Sequence, residues 1–373
     1  MRFPGFEGEW EERRLGECCS GFDYGMNAAS KSYDGVNGYI RITDIDEHTN
    51  EFRKEGIVSP DAVIDEIYRV RENDILFART GASTGKTYLY KSQDGRLYFA
   101  GFLIRANVFN WADSRFVFYQ TQIKRYAKWV QIMSMRSGQP GINSQEYASF
   151  QVNLPELNEQ KKVASFISLL DQRISLQIKL IDRYESLIRA LYHEILCNAP
   201  GTIITLGDLV QIKKGTQLNG ENLLTVGKYY VMNGGITPSG YYDSYNTPRE
   251  IISISEGGNS CGYVQYNSLP FWSGGHCYTL LPQTQYKDLV KYRYLYHYLK
   301  YHQDDIMAMR IGSGLPNIQK KDLERFQVIL PETQIQERYT VLFDAVDSVI
   351  SIEKALLNKL IESKKHLISQ MFI

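Results

Sequence analysis

The chain has 373 residues, of which 42 are Lys or Arg and 42 are Asp or Glu, so its formal net charge is zero. A hydrophobic share of 43% and a charged share of 23% are typical of folded chains and exclude a mostly disordered protein. No apolar run reaches the roughly 18 residues that a membrane span needs, and the first residues contain no apolar signal-peptide core. We therefore expect two or three domains, a cytoplasmic location and no membrane partner.

The five cysteines do not have the spacing of a disulfide framework or a zinc site. They are Cys18, Cys19, Cys197, Cys261 and Cys277. Because their number is odd and no C-x-x-C pair occurs, we expect reduced thiols and no bound metal. The 27 tyrosines fit either a wet recognition surface or the codon usage of an A/T-rich genome, and both readings stay open.

The strongest signal is an internal repeat at an offset of 176 residues. Residues 137–156 read SGQPGINSQEYASFQVNLPE, and residues 313–332 read SGLPNIQKKDLERFQVILPE. Ten of these 20 positions are identical, whereas about one or two matches are expected from ordinary residue frequencies. The sequence therefore predicts two copies of one structural plan.

A long helical pattern follows each copy of the repeat. Apolar residues recur at spacings of three and four, with Gln177, Glu353 and Lys364 as polar exceptions, and no Gly or Pro interrupts Leu157–Asn198 or Thr333–Ile373. This pattern is typical of a coiled coil. Helices of about 50–60 Å extend beyond a domain of ordinary size, so we expect the two helices to pack on each other in antiparallel fashion. The predicted interface residues are Val163, Ile167, Leu170, Ile174, Ile181, Ile188, Leu191, Phe343, Val346, Ile350, Leu357, Leu360 and Leu367.

A mixed region of short strands and turns precedes each long helix. The predicted strands are Tyr39–Ile45, Asp74–Ala78, Thr87–Tyr90 and Phe102–Asn107 in the first region, and Lys228–Met232, Glu250–Ile254, Gly262–Tyr266 and Cys277–Leu281 in the second. One helix is predicted to close each region, at Ser114–Met135 and Lys287–Met309. The predicted fold class is α+β, with two mixed α/β domains joined by two long antiparallel coiled-coil helices and an internal pseudo-two-fold repeat. The predicted boundaries are 1–156, 157–198, 199–332 and 333–373.

One motif looks like a phosphate-binding loop. It runs from Gly81 through Gly85 and Lys86 to Thr87, after an apolar strand. The full pattern is G-x-x-x-x-G-K-[ST], but the residue five before Gly85 is Thr80, and strand rather than helix is predicted next. Phosphate is held by the N–H groups that open a helix, so the sequence argues against nucleotide hydrolysis.

Other catalytic patterns are missing from the sequence. It has no G-x-S-x-G motif, no dinucleotide-binding glycine pattern and no Asn-Pro-Pro-aromatic methyltransferase motif. His297 and His302 are five residues apart and would not share a helix face as metal ligands do. We expect a protein without catalytic activity.

Charge is evenly spread along the chain. Residues 1–156 carry a net charge of −2 and residues 199–332 a net charge of +1, so unspecific electrostatic DNA binding is not indicated. Several loops nevertheless place Arg, Lys, Asn, Gln, Ser and Thr beside Gly, and these side chains contact phosphates and base edges. A solvated loop explains any single cluster. Their occurrence in duplicated regions strengthens the case for recognition, and both interpretations stay open. The candidate DNA-contacting residues are Arg41, Thr43, Arg79, Thr80, Ser83, Lys86, Arg136, Ser137, Gln139, Asn143, Lys213, Lys214, Gln217, Asn233, Asn259, Ser260, His276, Arg310, Ser313, Asn317, Lys320 and Lys321.

Taken together, the motifs and their duplicated order resemble the specificity (S) subunits of type I restriction-modification systems, over essentially the whole chain. The repeated Gly-x-Pro-x-Ile, the Leu-Pro that follows it and a Gln near each helix start resemble the conserved regions of that family. The other segments that carry the resemblance are Arg2–Phe6, Trp10, Leu15-Gly16, Gly38–Ile45, Asp74–Gly81, Asn233–Tyr242, Glu159-Gln160 and Gln336-Glu337.

The resemblance implies that residues 1–156 and 199–332 are target-recognition domains, each of which reads one half of a split, asymmetric site in double-stranded DNA. The long helices would set the gap between the half-sites and bind two modification (methyltransferase) subunits, which carry S-adenosylmethionine. Restriction subunits with translocase and nuclease activity would complete the complex. The chain itself would have no cofactor and no catalytic activity.

The two regions differ in one pair of strand segments. Ile252–Ser255 stands where the first region has Leu76–Arg79, so a role for Arg79 does not carry over. Three alternatives stay open: a stand-alone DNA-binding regulator or decoy of the same fold, a coiled-coil scaffold with two protein-binding domains, and an enzyme built around Gly81–Thr87.

Overall fold

The chain forms two compact units in the computed structural model, which describes residues 2–3, 5–47, 49–135, 139–198, 200–286, 288–312, 314 and 316–372. Unit 1 is Met1–Lys179 with Lys354–Ile373, and unit 2 is Leu180–Glu353. Each unit thus contains a part of both long helices, whereas the predicted boundaries separate the helices as segments of their own. Those boundaries stay a prediction. Within the described part of the chain, none of the helices combines the length and apolarity that crossing a bilayer requires.

The helices and strands alternate along the chain in two similar series. The first series is β1 (Glu11–Arg14), α1 (Leu15–Cys18), β2 (Asp23–Tyr24), β3 (Ala29–Ser32), β4 (Gly38–Ile40), β5 (Val58–Asp61), β6 (Asp74–Ala78), β7 (Thr87–Leu89), β8 (Leu97–Phe99), β9 (Leu103–Asn107), α2 (Ser114–Gln120), α3 (Lys124–Met133), α4 (Ser144–Ala148), β10 (Gln151–Leu154) and α5 (Leu157–Asn198). The second series is β11 (Thr202–Thr205), α6 (Leu206–Leu209), β12 (Val210–Lys214), β13 (Tyr229–Met232), β14 (Gly240–Tyr242), β15 (Ile251–Ser255), β16 (Val264–Asn267), β17 (Trp272–Ser273), β18 (Cys277–Pro282), α7 (Tyr292–Tyr301), α8 (Gln303–Ala308), α9 (Lys320–Glu324), β19 (Gln327–Leu330) and α10 (Thr333–Met371). Short 3-10 helices occur at Ile42–Asp44, Glu66–Tyr68, Gly81–Ser83, Ser92–Asp94, Gly220–Asn222 and Thr284–Tyr286.

Unit 1 is built on an antiparallel sheet with the strand order β2-β9-β6-β7. The central strand β6 is buried along its whole length, which explains the apolar sequence Ile-Leu-Phe-Ala after its first residue. Phe77 of β6 and Phe116 of α2 share one hydrophobic core with Val163 and Ile167 of α5. The sheet is therefore fixed to the first part of the long helix by a continuous apolar core.

Unit 2 repeats this sheet with the order β12-β18-β15-β16. Ile252 and Leu280 of the sheet share a core with Tyr294 of α7 and with Phe343 of α10. The smaller sheets differ, because unit 2 has the order β14-β13-β17 where unit 1 has the pairs β3-β5 and β4-β8. The framework is thus duplicated, and the additional sheets are not.

The predicted α+β fold class is confirmed, and most of the predicted strands are found within two residues of their expected ends. The strand expected at Tyr39–Ile45 is shorter, because Gly38–Ile40 is followed by a 3-10 helix. The prediction of a single closing helix in each region was wrong, because two shorter helices occupy each segment. The hydroxyl of Thr121 donates to the carbonyl of Phe118 at 2.7 Å where α2 ends, and His302 forms the junction between α7 and α8.

The long helices α5 and α10 have the predicted extents, and within each unit they run antiparallel. In unit 1, Lys364 of α10 pairs with Asp171 of α5 at 2.6 Å, and Ile368 lies in the same core as Ile167. In unit 2, Phe343 packs on Tyr192 with ring centroids 4.2 Å apart. The predicted interface residues that are buried are Val163, Ile167, Ile174, Ile181, Ile188 and Phe343. Those that are half-buried are Leu170, Leu191, Val346, Ile350, Leu357, Leu360 and Leu367.

A buried glutamine fixes the start of each long helix to its own domain. The amide oxygen of Gln160 accepts a hydrogen bond from the backbone N–H of Asp113, and its amide nitrogen donates to the carbonyl of Pro155. Gln336 does the same with the N–H of Lys291 and the carbonyl of Pro331. The repeated Leu-Pro and Gln are therefore one structural device in two copies.

We expect Gln336→Ala to lower the free energy of unfolding by about 1–3 kcal/mol, because it removes the hydrogen bonds of its side chain to the N–H of Lys291 and to the carbonyls of Leu289 and Pro331. Urea denaturation of the full chain measures this loss. Gln334→Ala, two residues earlier on the exposed side of the helix, is the matched control and should change stability by no more than about 0.5 kcal/mol. Equal losses in the two variants would contradict the proposed role of Gln336.

Candidate functional site

A polar groove of about 540 Å3 opens in unit 2 at one end of the central sheet. Lys214 ends strand β12, Glu256 follows β15, and His276 precedes β18, so the sheet order brings these side chains together. The predicted DNA-contacting residues that line this groove are Lys214, Asn233, Asn259, Ser260, His276 and Asn317.

Glu256 lies at the centre of the groove contacts, and its side chain is only 12% exposed. Its Oε1 accepts hydrogen bonds from Lys214 Nζ at 2.5 Å and from the Tyr278 hydroxyl at 3.1 Å. Its Oε2 is buried and accepts no hydrogen bond from the described residues, while His276 Nδ1 lies 3.6 Å away. The groove therefore holds a carboxylate oxygen with unused acceptor capacity between two exposed basic side chains.

Unit 1 has an arginine at the end of its central strand. Arg79 follows β6, and its guanidinium carbon lies 4.7 Å from the centre of the Tyr24 ring. Its Nη1 donates to the Gly101 carbonyl at 3.5 Å, and its Nε is buried without an acceptor among the described residues. The guanidinium thus keeps most of its donors unused. The predicted residues that the structure gathers around this turn are Arg79, Thr80, Ser83 and Gln139.

In the turn that resembles a phosphate-binding loop, most of the backbone N–H groups are already bonded within the chain. Strand β7 follows it, as predicted, and Lys86 Nζ is paired with Glu47 Oε1 at 2.7 Å. A phosphate cradle depends on unpaired backbone N–H groups. The N–H groups of this turn that already donate to carbonyls of the chain are those of Gly81, Thr84, Gly85 and Lys86.

The same turn recurs in unit 2 with the same pattern of backbone hydrogen bonds. Its two glycines have φ angles of 71° and 90° in unit 1 and 78° and 92° in unit 2, in the left-handed region that favours glycine. The matching residues are Gly81 with Gly258 and Gly85 with Gly262. The structural offset is therefore 177 here, which makes Arg79 equivalent to Glu256. The sequence alignment at 176 was wrong at this point, because it matched Arg79 with Ser255.

Several other predicted residues have structural partners. The guanidinium of Arg41 donates two hydrogen bonds to the carboxylate of Asp44, and Asn143 caps the start of α4. Lys320 lies 3.4 Å from Glu324 on the same helix. The remaining exposed candidates are Thr43, Lys213, Gln217, Arg310 and Lys321. Arg136, Ser137 and Ser313 lie outside the described residues, and DNA contact by any of these candidates stays a prediction.

The cysteines whose side chains the structure describes lie inside the hydrophobic parts of the fold. Cys18, Cys19, Cys261 and Cys277 are free and buried, and burial raises the pKa of the Cys18 thiol to about 11. In the part of the chain that the structure describes, no three His, Cys, Asp or Glu side chains are grouped so that they could hold a metal ion.

Glu256, Tyr24 and Phe102 surround the strand ends but were missed by the sequence reasoning. The signal for Glu256 is present in the sequence, because residues 78–85 read ARTGASTG and residues 255–262 read SEGGNSCG. The two glycines and one serine coincide at the offset of 177. Tyr24 and Phe102 have no such signal, since only the sheet order brings them beside Arg79.

The family described as "Type I restriction modification DNA specificity domain" matches residues 7–185 and 202–362, which together are most of the chain. The chain therefore belongs to this family. The two matched segments correspond to the two copies of the internal repeat.

Two bacterial relatives are named as type I specificity subunits. The relative from Mycoplasma pneumoniae is 34% identical over 170 residues, and the relative from Mycoplasma genitalium is 35% identical over 125 residues. These matches cover 46% and 33% of this chain, and 44% and 32% of the relatives. The chain thus matches less than half the length of either relative.

Two solved structures have the same fold along the whole chain. The crystal structure of a type I restriction-modification S subunit from M. genitalium covers 100% of this chain and 99% of that chain, with a TM-score of 0.69 and 19% identity. A structure that describes complex assembly and conformational transition of a type I restriction-modification system covers 98% of both chains, with a TM-score of 0.56 and 18% identity. At these identities the likeness establishes the fold.

Proposed function

We propose that this chain is the DNA-sequence-specificity subunit of a type I restriction-modification complex and reads a split, asymmetric site. The observation that carries this proposal is one framework in two copies with different polar side chains at the same strand ends. Equivalent frameworks present equivalent surfaces to DNA, while unlike side chains select unlike bases. The two half-sites are therefore expected to differ in sequence.

The zero net charge supports a DNA-recognition subunit that acts within a larger complex. Neutralising phosphates supplies most unspecific affinity for DNA, and neither domain has the excess of basic residues for that task. The described groove of unit 2 places Lys214 beside Glu256, which is a composition suited to discrimination between bases. We infer that partner subunits supply the remaining affinity.

Exposed apolar side chains on both long helices support the docking of two copies of one partner. In unit 1, Phe166 and Leu176 of α5 are exposed; in unit 2, Leu342 and Ile352 of α10 are exposed. These pairs are related by the offset of 176 residues, so the same stripe occurs twice. Two methyltransferase subunits would bind these stripes, S-adenosylmethionine would be bound by those subunits, and restriction subunits would complete the complex. The chain itself would contribute recognition without catalysis.

The test is to co-express the full chain with its candidate methyltransferase subunits and to map methylated bases genome-wide. A split, asymmetric motif is the expected result. A stable complex without any motif would favour a scaffold, and the absence of a complex would favour a stand-alone regulator or decoy.

Exchange of Met1–Leu154 for the equivalent segment of another family member should change one half-site and leave the other intact. The reason is that each central sheet, with its strand-end side chains, lies within one unit. The methylation motif of the hybrid measures this directly. A change in both half-sites would contradict modular recognition.

A further inference from the structure

Three strand-end positions are equivalent in the two central sheets. Tyr24 pairs with Ile104 across the sheet of unit 1, and Lys214 pairs with Tyr278 across the sheet of unit 2. Ile104 and Tyr278 in turn face the same position of the central strand in their units. The equivalent positions are Tyr24 with Lys214, Phe102 with His276, and Arg79 with Glu256.

The backbone contacts support this equivalence residue by residue. The N–H of Arg79 donates to the carbonyl of Phe102 at 3.0 Å, and the N–H of Glu256 donates to the carbonyl of His276 at 2.9 Å. The carbonyls of Arg79 and Glu256 accept from the N–H of Ile142 and the N–H of Ile318, respectively, at 2.9 Å. The backbone is thus the same at these positions, and only the side chains differ.

The side-chain chemistry of the three positions is inverted between the units. Unit 1 places a cation, Arg79, against the exposed ring of Tyr24, and the backbone N–H of Arg79 bonds the carbonyl of Phe102, whose side chain is exposed. Unit 2 places an anion, Glu256, between the basic side chains of Lys214 and His276. The backbone at this position is the same in both units, but the charge of the side chain is opposite. This is expected of a side chain that selects bases rather than of one that stabilises the fold.

Arg79 and Glu256 also each have a buried polar atom whose hydrogen-bonding capacity is unused. Arg79 Nε and Glu256 Oε2 are both buried and have no hydrogen-bond partner among the described residues. Buried polar atoms without partners are rare in folded proteins, because their desolvation is not compensated. Donors remain on the Arg79 guanidinium, and Glu256 lines the groove with its Oε2 3.6 Å from Nδ1 of the exposed His276 side chain.

We propose that these two positions select one base in each half-site: Arg79 selects guanine, and Glu256 selects a base with an exocyclic amino group, cytosine or adenine. Guanine presents two acceptors, O6 and N7, to the forked donors of an arginine in the major groove. The amino groups of cytosine N4 and adenine N6 are donors, which a carboxylate oxygen accepts. This inference rests on the proposed function and specifies which residues perform it.

The experiment selects duplexes from a randomised library with the full chain and its co-expressed methyltransferase subunits. The wild-type complex is compared with complexes that carry Arg79→Gln or Glu256→Gln. Arg79→Gln should reduce the preference for guanine at one position of one half-site about 5- to 150-fold, the discrimination that one good base contact supplies. Glu256→Gln should reduce the preference for the amino-bearing base in the other half-site by a similar factor.

Two further variants test the contacts that position Glu256, and a third controls for general effects. Lys214→Gln changes an exposed side chain that bonds Glu256, and it should alter the same position of the same half-site. Tyr278→Phe removes the other hydrogen bond to Glu256, and it should alter that position too. Arg115→Gln removes a unit 1 arginine near the opposite end of the central strand, and it should leave the motif unchanged.

The outcomes separate this inference from the proposed function. If the wild-type complex selects no motif, the proposed function itself fails. If a split motif appears but contains no guanine in the half-site that Arg79→Gln affects, the inference is overturned. It is also overturned if Arg79→Gln and Glu256→Gln leave the motif intact, or if either variant alters both half-sites.

Discussion

Replacement of Lys364 with Ala is expected to lower the free energy of unfolding by about 3–5 kcal/mol, because it leaves a carboxylate partly buried without its cation. The Lys364 side chain is 9% exposed, and its Nζ lies 2.6 Å from Asp171 Oδ1 and 2.9 Å from Gln122 Oε1. Asp171 would keep only the hydroxyl of Tyr119 from this network. Urea denaturation of the full chain, followed by circular dichroism, measures the loss.

Two variants make the test specific. Lys365→Ala removes the exposed neighbouring lysine and should change stability by no more than about 0.5 kcal/mol. The double replacement of Lys364 with Met and Asp171 with Leu removes both charges and should recover much of the loss, because an apolar pair of similar volume replaces a buried ion pair well. Equal stability of Lys364→Ala and Lys365→Ala would refute the role of this ion pair.

Acid is expected to destabilise unit 2 through His297. The side chain is fully buried, and burial lowers its pKa to about 4, although the bond from its Nε2 to Asp344 Oδ1 acts in the opposite direction. The effect of burial on the His297 pKa outweighs the effect of Asp344, because Arg293 Nε lies 2.8 Å from the same Asp344 oxygen and balances its charge. A neutral ring also fits both hydrogen bonds, since Nε2 donates to Asp344 and Nδ1 accepts from the Tyr192 hydroxyl.

The sign of the pH effect follows from the two pKa values of His297. The unfolded chain takes up a proton near pH 6.5, whereas the folded chain does so only near pH 4. The stabilisation is therefore fully present above about pH 6.5 and is lost as the pH falls towards 4, to a total of about 3 kcal/mol. The measurement is the difference in unfolding free energy between the wild type and His297→Gln, from pH 8 to pH 4.

This difference isolates His297 from its acidic neighbours. Burial raises the pKa of Asp347, so this residue favours the folded state as the pH falls and opposes the effect of His297. Asp347 is present in both proteins, and its contribution largely cancels in the comparison. A difference that stays constant from pH 8 to pH 4 would show that His297 does not titrate in this way.

Local sequence patterns predicted the regular framework well. The 3-4 periodicity, unbroken by Gly or Pro, predicted both long helices, and the structure has them at Leu157–Asn198 and Thr333–Met371. The central strands were recognised because strands that are buried along their length are rich in apolar residues, although β15 also contains Ser253 and Ser255. These features are encoded by residues close together in the chain, so one sequence is sufficient to read them.

The breaks in the closing helices could not be read in the same way. The apolar periodicity continues through Thr121 and through His302, and neither residue is a strong helix breaker. What ends the helices is a set of competing partners, such as the hydroxyl of Thr87, which lies 2.7 Å from the hydroxyl of Thr121 across the core. A contact between residues 34 positions apart is invisible to a local pattern.

The candidate site, too, was predicted only in part from the sequence. Sequence reasoning selected six of the residues that line the groove of unit 2, because polar side chains beside glycines mark recognition loops. It missed Glu256, which bonds Lys214 across a separation of 42 residues, and it matched Arg79 to the wrong residue by one position. Between this turn and the repeated motif the second copy is one residue shorter, which shifts the alignment, and only the cross-strand pairing reveals the shift.

The sequence by itself determined the duplication, the fold class, the long helices and the family resemblance, because periodicity and repeated motifs are local properties of the chain. The tertiary structure alone decided which strand ends meet, that Arg79 and Glu256 occupy equivalent positions, and which of their polar atoms remain without partners. The physical reason is that hydrogen bonding between strands brings together residues far apart in the chain, and the chemistry of the site arises only from that assembly.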